Sequence, residues 1–168
     1  MSFQDAVYLP GSLVLRFATA NDRDFLLDLF MAARPWLAEA HPDPDFIRAL
    51  YEDQLRINGL GQGHTYPNHL DFVIEKTAQA VGHVVMHLGR EEWRIAQLEL
   101  HPRARGQGIG ADIVRGLQAG AGRAGVILTA AALTEMSGTM DFYRRLGFRR
   151  KVAGQPFTEL VWSPPGLS

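Results

Sequence analysis

The chain has 168 residues, 46% of them hydrophobic and 21% charged, proportions of an ordinary folded domain rather than of a disordered segment. Seventeen basic residues stand against eighteen acidic ones, which excludes a general polyanion binder and leaves room for one local basic patch. Cysteine is absent, and with it disulfides, thiolate nucleophiles and Cys-ligated metals.

No apolar run approaches the ~20 residues of a membrane helix. The first twelve residues lack the basic start and apolar stretch of a signal peptide. The expectation is a soluble cytoplasmic protein with neither membrane nor nucleic-acid partner. It should fold as one domain over residues 1–168, with its core in 13–162.

Residues 1–12 read as a loose lead-in that ends at Pro10-Gly11. Leu13 to Ala18 is β-rich and predicts a first strand. Asn21 or Asp22 can cap a helix, and Phe25, Leu26, Leu29 and Phe30 then recur at helical spacing up to Arg34-Pro35. After a turn at His41 to Pro44, the residues Phe46, Ile47, Leu50, Tyr51 and Leu55 predict a second helix. The glycine-rich stretch Asn58 to Asn68 predicts a loop.

His69 to Glu75 and Ala80 to Leu88 predict a hairpin joined at Lys76 to Gln79, and Trp93 to Leu100 alternates as a fourth strand. A basic turn, His101 to Gly108, precedes a helix whose apolar face is Ile109, Ile113, Val114 and Leu117. The glycines at 120, 122 and 125 should stop that helix. Val126 to Ala131 is a short apolar fifth strand of the kind buried on both faces. A last helix with Met140, Tyr143 and Leu146 should start at Ser137 and close at Gly147. Phe148 to Val152 and Phe157 to Trp162 are two closing strands.

This order predicts an α/β fold of mixed type, with a six- to seven-stranded sheet and helices on both faces. The early strands form an antiparallel meander. The fourth and fifth strands are joined through a helix, so they must be parallel and connected by a right-handed crossover.

The chemistry concentrates in Arg105-Gly106-Gln107-Gly108-Ile109-Gly110, a turn between a strand and a helix. The unpaired N–H groups of a first helical turn and the helix dipole favour an anion. Glycine lets the backbone approach it closely, and Arg103 and Arg105 add local positive charge. Gly110, at the start of the helix, should also let that helix pack close to the sheet. The ligand class is a phosphate ester, with a pyrophosphate favoured. A nucleoside-triphosphatase loop would end in Gly-Lys-Ser/Thr, which is missing. A dinucleotide fingerprint fits nominally as Gly106-x-Gly108-x-x-Ala111, but three strands precede it and alanines, not an acidic residue, stand some twenty residues on. A plain glycine turn with solvated arginines is the bland alternative.

Arg105, Gly108 and Gly110 match the Arg/Gln-x-x-Gly-x-Gly/Ala signature of the GCN5-related N-acetyltransferase (GNAT) family, which this sequence resembles. Leu98-Glu99-Leu100-His101-Pro102 looks like the family's preceding strand, and Phe142-Tyr143-Arg144-Arg145-Leu146-Gly147-Phe148 like its Phe-Tyr-x-x-x-Gly-Phe element. The element order agrees over roughly residues 13–162.

The resemblance implies a cofactor, acetyl-CoA, and no metal. Its pyrophosphate would lie on the backbone amides of about Arg105 to Ala111, namely Arg105, Gly106, Gln107, Gly108, Ile109, Gly110 and Ala111. The fourth and fifth strands would splay, and the pantetheine arm would pair as a pseudo-strand with the backbone near Leu98 and Leu100. An amide near Leu100 would stabilise the oxyanion. The reaction implied is direct attack of a primary amine, from a small molecule or a peptide, on the thioester. Such an amine must lose a proton, so a base is needed. Glu99 and His101 are the candidates, with Glu99 preferred. Tyr143 is the candidate acid for the leaving thiolate. Family members often carry an Asn where this chain has Met136. That departure keeps a non-catalytic acyl-CoA-binding or sensor domain as the alternative. Homodimers through C-terminal strands are common in the family.

The other polar and aromatic groups point less far. His83 and His87 should share a strand face with His69 across the hairpin, more as polar surface than as a metal site. Trp36, Trp93 and Trp162 read as core or interface residues. Tyr51, His64 and Tyr66 could line an acceptor pocket.

Overall fold

The computed structural model describes residues 6–167. The order is β1 (Ala6–Leu9), β2 (Leu13–Phe17), α1 (Arg23–Ala33), α2 (Pro44–Thr65), β3 (Leu70–Lys76), β4 (Gln79–Leu88) and β5 (Glu92–Leu100), then α3 (Ile109–Ala124), β6 (Ile127–Leu133), α4 (Ser137–Arg145), β7 (Arg149–Val152) and β8 (Phe157–Trp162). The strands form one sheet in the order β1-β2-β3-β4-β5-β6-β8-β7. Among the described residues only β5 and β6 pair in parallel; every other neighbour is antiparallel.

The sheet has eight strands rather than six or seven. The extra one is β1, inside the stretch expected to be a loose lead-in; residues 1–5 of that stretch lie outside the described residues. Val7 and Leu9 turn inward against the core while Tyr8 is exposed. Four residues give too short an alternation to stand out from a sequence. The turn after β1 holds Gly11 at φ 81° and Ser12 at φ 61°, so the chain doubles back into β2.

Two faces follow from the period of two. Phe72 and Ile74 of β3, Val84 and Met86 of β4 and Leu128 and Ala130 of β6 join Ile109, Ile113, Val114, Leu117 and Ala121 of α3 in the main core. Each large aliphatic side chain so buried contributes roughly 1.5–3 kcal/mol relative to exposure. Met140 and Tyr143 of α4 belong to the same core, and the buried Gln118 of α3 donates from Nε2 to the Leu146 carbonyl at 2.7 Å, tying the two helices. On the opposite face α1 and α2 form a smaller cluster of Leu27, Phe30, Ile47 and Tyr51.

Two element ends differ from expectation. The predicted loop at 58–68 is helical as far as Thr65. Glycines cost about 1 kcal/mol each in a helix interior, yet Asn58 and Gln62 of this segment reach the Gln97 side chain, a tertiary anchor that local propensity does not register. In α3, Gly120 and Gly122 sit inside the helix, and only Gly125 ends it, at φ 71°. No helix among the described residues is long and apolar enough to cross a membrane.

Candidate active site

The parallel pairing of β5 with β6 covers only Glu92↔Ile127 through Ile95↔Ala130. Beyond that point both strands continue, to Leu100 and Leu133, without pairing to each other. A bulge accounts for the separation. Val85 faces Gln97 but Met86 faces Ile95, so Ala96 is an extra residue in β5. Bulges bend and over-twist their strand, and this one stands at the last β5–β6 pair.

The main chain of β5 beyond the bulge has no strand partner on that side. His101 N–H donates to the Val81 carbonyl at 2.8 Å. The alternation of an antiparallel ladder makes His83–Glu99 the next bonded couple and turns the backbone groups of Leu98 and Leu100 away from β4, into the gap. The Leu100 carbonyl there accepts from Arg105 Nε at 3.2 Å.

The glycine turn opens at the same end of β5. Pro102–Ala104 forms a short 3-10 turn, Arg105 is extended, and Gly106 and Gly108 take φ of 75° and 77°. Among the described residues the amides of Gly106 to Ala111 have no partner within the chain. The Arg105 amide is excepted: it donates to the Pro102 carbonyl at 3.2 Å, so this residue can offer only its guanidinium. Ile109 is buried in the core and presents its main chain alone. Successive amides around left-handed residues, at a helix N-terminus, form a concave anion cradle.

A Cβ at Gly106 or Gly108 would meet nothing within 4 Å, so conformation rather than crowding demands glycine there. Gly110 differs from expectation: its Cβ would make only ordinary contacts of 3.5 Å with Leu100 and Phe142. Close packing of the helix falls instead at Gly116 and Gly120, where a Cβ would come within 2.7 Å of Leu9 and 2.9 Å of Trp93.

Tyr143 is 6% exposed in the main core, with its ring edge-on to Phe142 and Phe148 at centroid distances of 5.0 Å. Burial pushes its phenol up to about 12, which keeps the proton in place at neutral pH. Met136, where the family often has Asn, is exposed just before α4.

On the α1/α2 face, Glu99 lines a cavity of about 380 Å³ together with Gln97, Phe30, His69, Asp71 and His83. Glu99 Oε1 accepts from Arg34 Nη2 at 3.0 Å, and the Arg34 guanidinium lies 3.8 Å over the Phe30 ring. Asp71 takes Nε2 of His83 at 2.7 Å and Nε2 of His69 at 3.0 Å on its two oxygens. The His83 hydrogen bond is the largest of the effects that hold the Asp71 carboxyl below the usual carboxylate range.

The other sequence candidates scatter. His101 points into the turn, where its Nδ1 accepts from the Arg103 amide at 3.3 Å. Burial and Arg103 lower its pKa. Tyr51 is core, its hydroxyl donating to the Arg34 carbonyl at 2.6 Å. Tyr66 lies against His87 with ring centroids 5.2 Å apart, beside a separate open groove with Arg94 and Glu159. His64 is exposed on α2. Trp93 packs against α3 at Gly120 and Trp162 near Gly147, whereas Trp36 is 64% exposed. Among the described residues no group of three His, Asp or Glu side chains is arranged for a metal ion. Arg34 and Asp71 were missed by sequence reasoning. His69 and Asp71, two apart, were a legible pair; the reach of Arg34 to Glu99 was not.

A profile of the acetyltransferase (GNAT) domain family matches residues 67–150, half of the chain. No curated protein sequence matches significantly. The fold is similar to that of PaiA N-acetyltransferase from Thermoplasma acidophilum, solved with coenzyme A, at 14% identity and a TM-score of 0.65, covering 90% of this chain and 99% of that one. It is also similar to RimL, a ribosomal L7/L12 α-N-protein acetyltransferase solved with coenzyme A, at 15% identity, a TM-score of 0.65 and coverage of 95% and 98%. PseH, an N-acetyltransferase from Campylobacter jejuni solved with acetyl coenzyme A, superimposes at 13% identity with a TM-score of 0.59, covering 90% and 98%. The splayed strands, the open glycine turn and the family profile agree: the chain belongs to the GNAT acetyltransferase family.

Proposed function

We propose that the protein is an acetyl-CoA-dependent N-acetyltransferase, one domain that moves an acetyl group directly to a primary amine of a small molecule or peptide. The observation that carries this reading is the gap beyond Ala96. It turns β5 backbone at Leu98 and Leu100 away from any strand partner, with free turn amides at its end and a cavity bearing Glu99, His83 and Asp71 on the α1/α2 face of the same strand. Coenzyme A-bound neighbours of this fold support it.

The residues fit the ligand. The amides of Gly106, Gln107, Gly108, Ile109, Gly110 and Ala111 would hold the pyrophosphate, with the exposed Arg105 beside them. The backbone of Leu98 and Leu100 would hold the pantetheine arm by strand addition, and the Leu100 amide would polarise the acyl carbonyl. Bound there, the thioester supplies an activated acyl group. Glu99 meets the acceptor amine on the α1/α2 face and draws on its proton. Tyr143, kept protonated by its burial, offers a hydrogen to the departing sulfur.

The test has two stages. Titration with acetyl-CoA should give micromolar binding. A panel of primary amines should then release free CoA thiol, which a thiol reagent reads without background because the chain has no cysteine. Absence of binding removes the reading. Binding without turnover on any amine leaves a non-catalytic acyl-CoA sensor of the same fold.

A further inference from the structure

We infer that His83, oriented by Asp71, is the group that finally carries the proton of the acceptor amine. The inference rests on the acyl-transfer reading above and names a residue that reading leaves out.

His83 and Glu99 are direct partners across β4 and β5, so their side chains leave the sheet on one face about 5.5 Å apart at the backbone. Both line the same cavity. Their commitments differ. Glu99 is engaged by Arg34 at 3.0 Å, so it can gather an ammonium or polarise an amine, but keeping a proton would dissolve that ion pair. His83 has one nitrogen committed and one free. Nε2 lies 2.7 Å from a carboxylate oxygen of Asp71, which can only accept, so Nε2 carries the hydrogen. Nδ1 then holds the lone pair, and among the described residues the ring's hydrogen bond runs through Nε2 alone.

The arrangement is anchored from behind. The second oxygen of Asp71 is 3.0 Å from Nε2 of His69, and Nδ1 of His69 lies 2.8 Å from the Tyr66 carbonyl. Asp71 thus has a histidine ring nitrogen against each of its oxygens, and its carboxylate is placed to stabilise the imidazolium that forms when His83 Nδ1 takes a proton. The other groups that face His83 across the cavity are Glu99 and Gln97 from β5, Arg23 from α1, and Asn58 and Gln62 from α2.

The step balances. The amine N–C bond forms as the C–S bond breaks. The amine proton goes to His83 Nδ1, and the sulfur leaves as thiol with the proton of Tyr143. Both residues are restored by exchange with water.

Long-range proton–nitrogen NMR of the histidine rings in the wild-type protein reads the arrangement without turnover. The expected result is His83 with hydrogen on Nε2 and a free Nδ1, and loss of that single tautomer in Asp71→Asn. Kinetics then use any panel amine that the wild type acetylates. His83→Gln should lower kcat about 100-fold while acetyl-CoA affinity stays within about twofold, and it should remove the acidic limb of the kcat–pH profile. Asp71→Asn should lower kcat about 10-fold with KM little changed. A His83 ring with its hydrogen on Nδ1, or a His83→Gln enzyme that keeps kcat and its pH profile, overturns the assignment while leaving the acyl-transfer reading intact. A wild type that acetylates no amine overturns both.

Discussion

The two faces of the sheet at β5 use different chemistry. On the α3 face the candidate site is main chain: the backbone of Leu98 and Leu100, which has no strand partner there, and the amides of Gly106 to Ala111, backed by apolar side chains. On the α1/α2 face it is side chain: Glu99 on Arg34, and Asp71 between His69 and His83. A backbone site depends on conformation, so it should be broken by substitutions that change φ. A side-chain site depends on register and charge, so it should be broken by substitutions that keep shape and remove a proton or a partner.

The largest effect should come from the backbone side. Gly106 and Gly108 need left-handed φ, which costs a residue with a Cβ roughly 1–2 kcal/mol each, more for a β-branched one. Gly106→Val with Gly108→Val should therefore weaken acetyl-CoA binding by about two to three orders of magnitude in a calorimetric titration. The histidine tautomers across the sheet should be unmoved. Loss of the Asp71–His83 arrangement in that double variant would show that the two faces are not separable.

Tyr143 tests the junction between them. Its hydroxyl has no hydrogen-bond partner among the described residues, so Tyr143→Phe should keep or slightly raise Tm while lowering kcat by about 10- to 100-fold. The sign of the pH effect follows from its raised pKa. The protonated phenol favours the fold up to about 10, and that contribution is lost as pH climbs through about 12. The variant should lack this alkaline loss. Full turnover in the variant would remove the acid assignment and leave the fold untouched.

A smaller effect concerns how α1 is fastened to the sheet. Arg16 of β2 grips Asp22 with both η nitrogens, at 2.9 and 2.7 Å, and the Thr19 amide donates to the same carboxylate at 2.7 Å. Arg16 holds the Asp22 carboxyl down at about 2. A depressed carboxyl stabilises above its ordinary pKa and loses that contribution as pH falls through its folded value, about 2 kcal/mol in all. Asp22→Asn should lose about that much at pH 7 and flatten the acid limb of stability between about pH 4 and 2, read by denaturant melts across pH. Since Asp22 starts the helix that carries Phe30 toward the cavity, amine KM should rise while acetyl-CoA affinity holds.

The same division explains what the sequence disclosed. The glycine turn, the hairpin of β3 and β4 and the crossover to β6 were legible because each depends on local spacing or on a rule of handedness. Even the gap between β5 and β6 came through the motif's resemblance and not through any residue at Ala96, whose extra position becomes visible only when Val85 is paired with Gln97 and Met86 with Ile95. Glu99 was singled out because it stands at the end of the strand before the turn, but its partner Arg34, whose place before Pro35 marked only a helix end, was not. The second half of α2 was hidden by Gly59, Gly61 and Gly63, whose weak propensity is offset by Asn58 and Gln62 holding Gln97. Tyr51 looked like a pocket residue because a helix face alone does not say which side meets a neighbour.

The finest discrimination lies within α3, where two glycines that look alike in sequence should respond to different degrees. At Gly110 a Cβ finds Leu100 and Phe142 at 3.5 Å, ordinary contact, and no positive φ. Alanine is also worth about 1 kcal/mol more than glycine inside a helix and less near its first turn. Gly110→Ala should therefore change stability by no more than about 0.5 kcal/mol and acetyl-CoA affinity by no more than about threefold, since its amide stays where it is. At Gly120 a Cβ would stand 2.9 Å from the Trp93 ring, a rigid neighbour that must shift. Gly120→Ala should cost about 1–3 kcal/mol with cofactor affinity unaltered, because the strain falls at the far end of the helix from the turn. If Gly110→Ala proved the more disruptive of the two, the turn would need a closer approach to its ligand than backbone conformation alone explains.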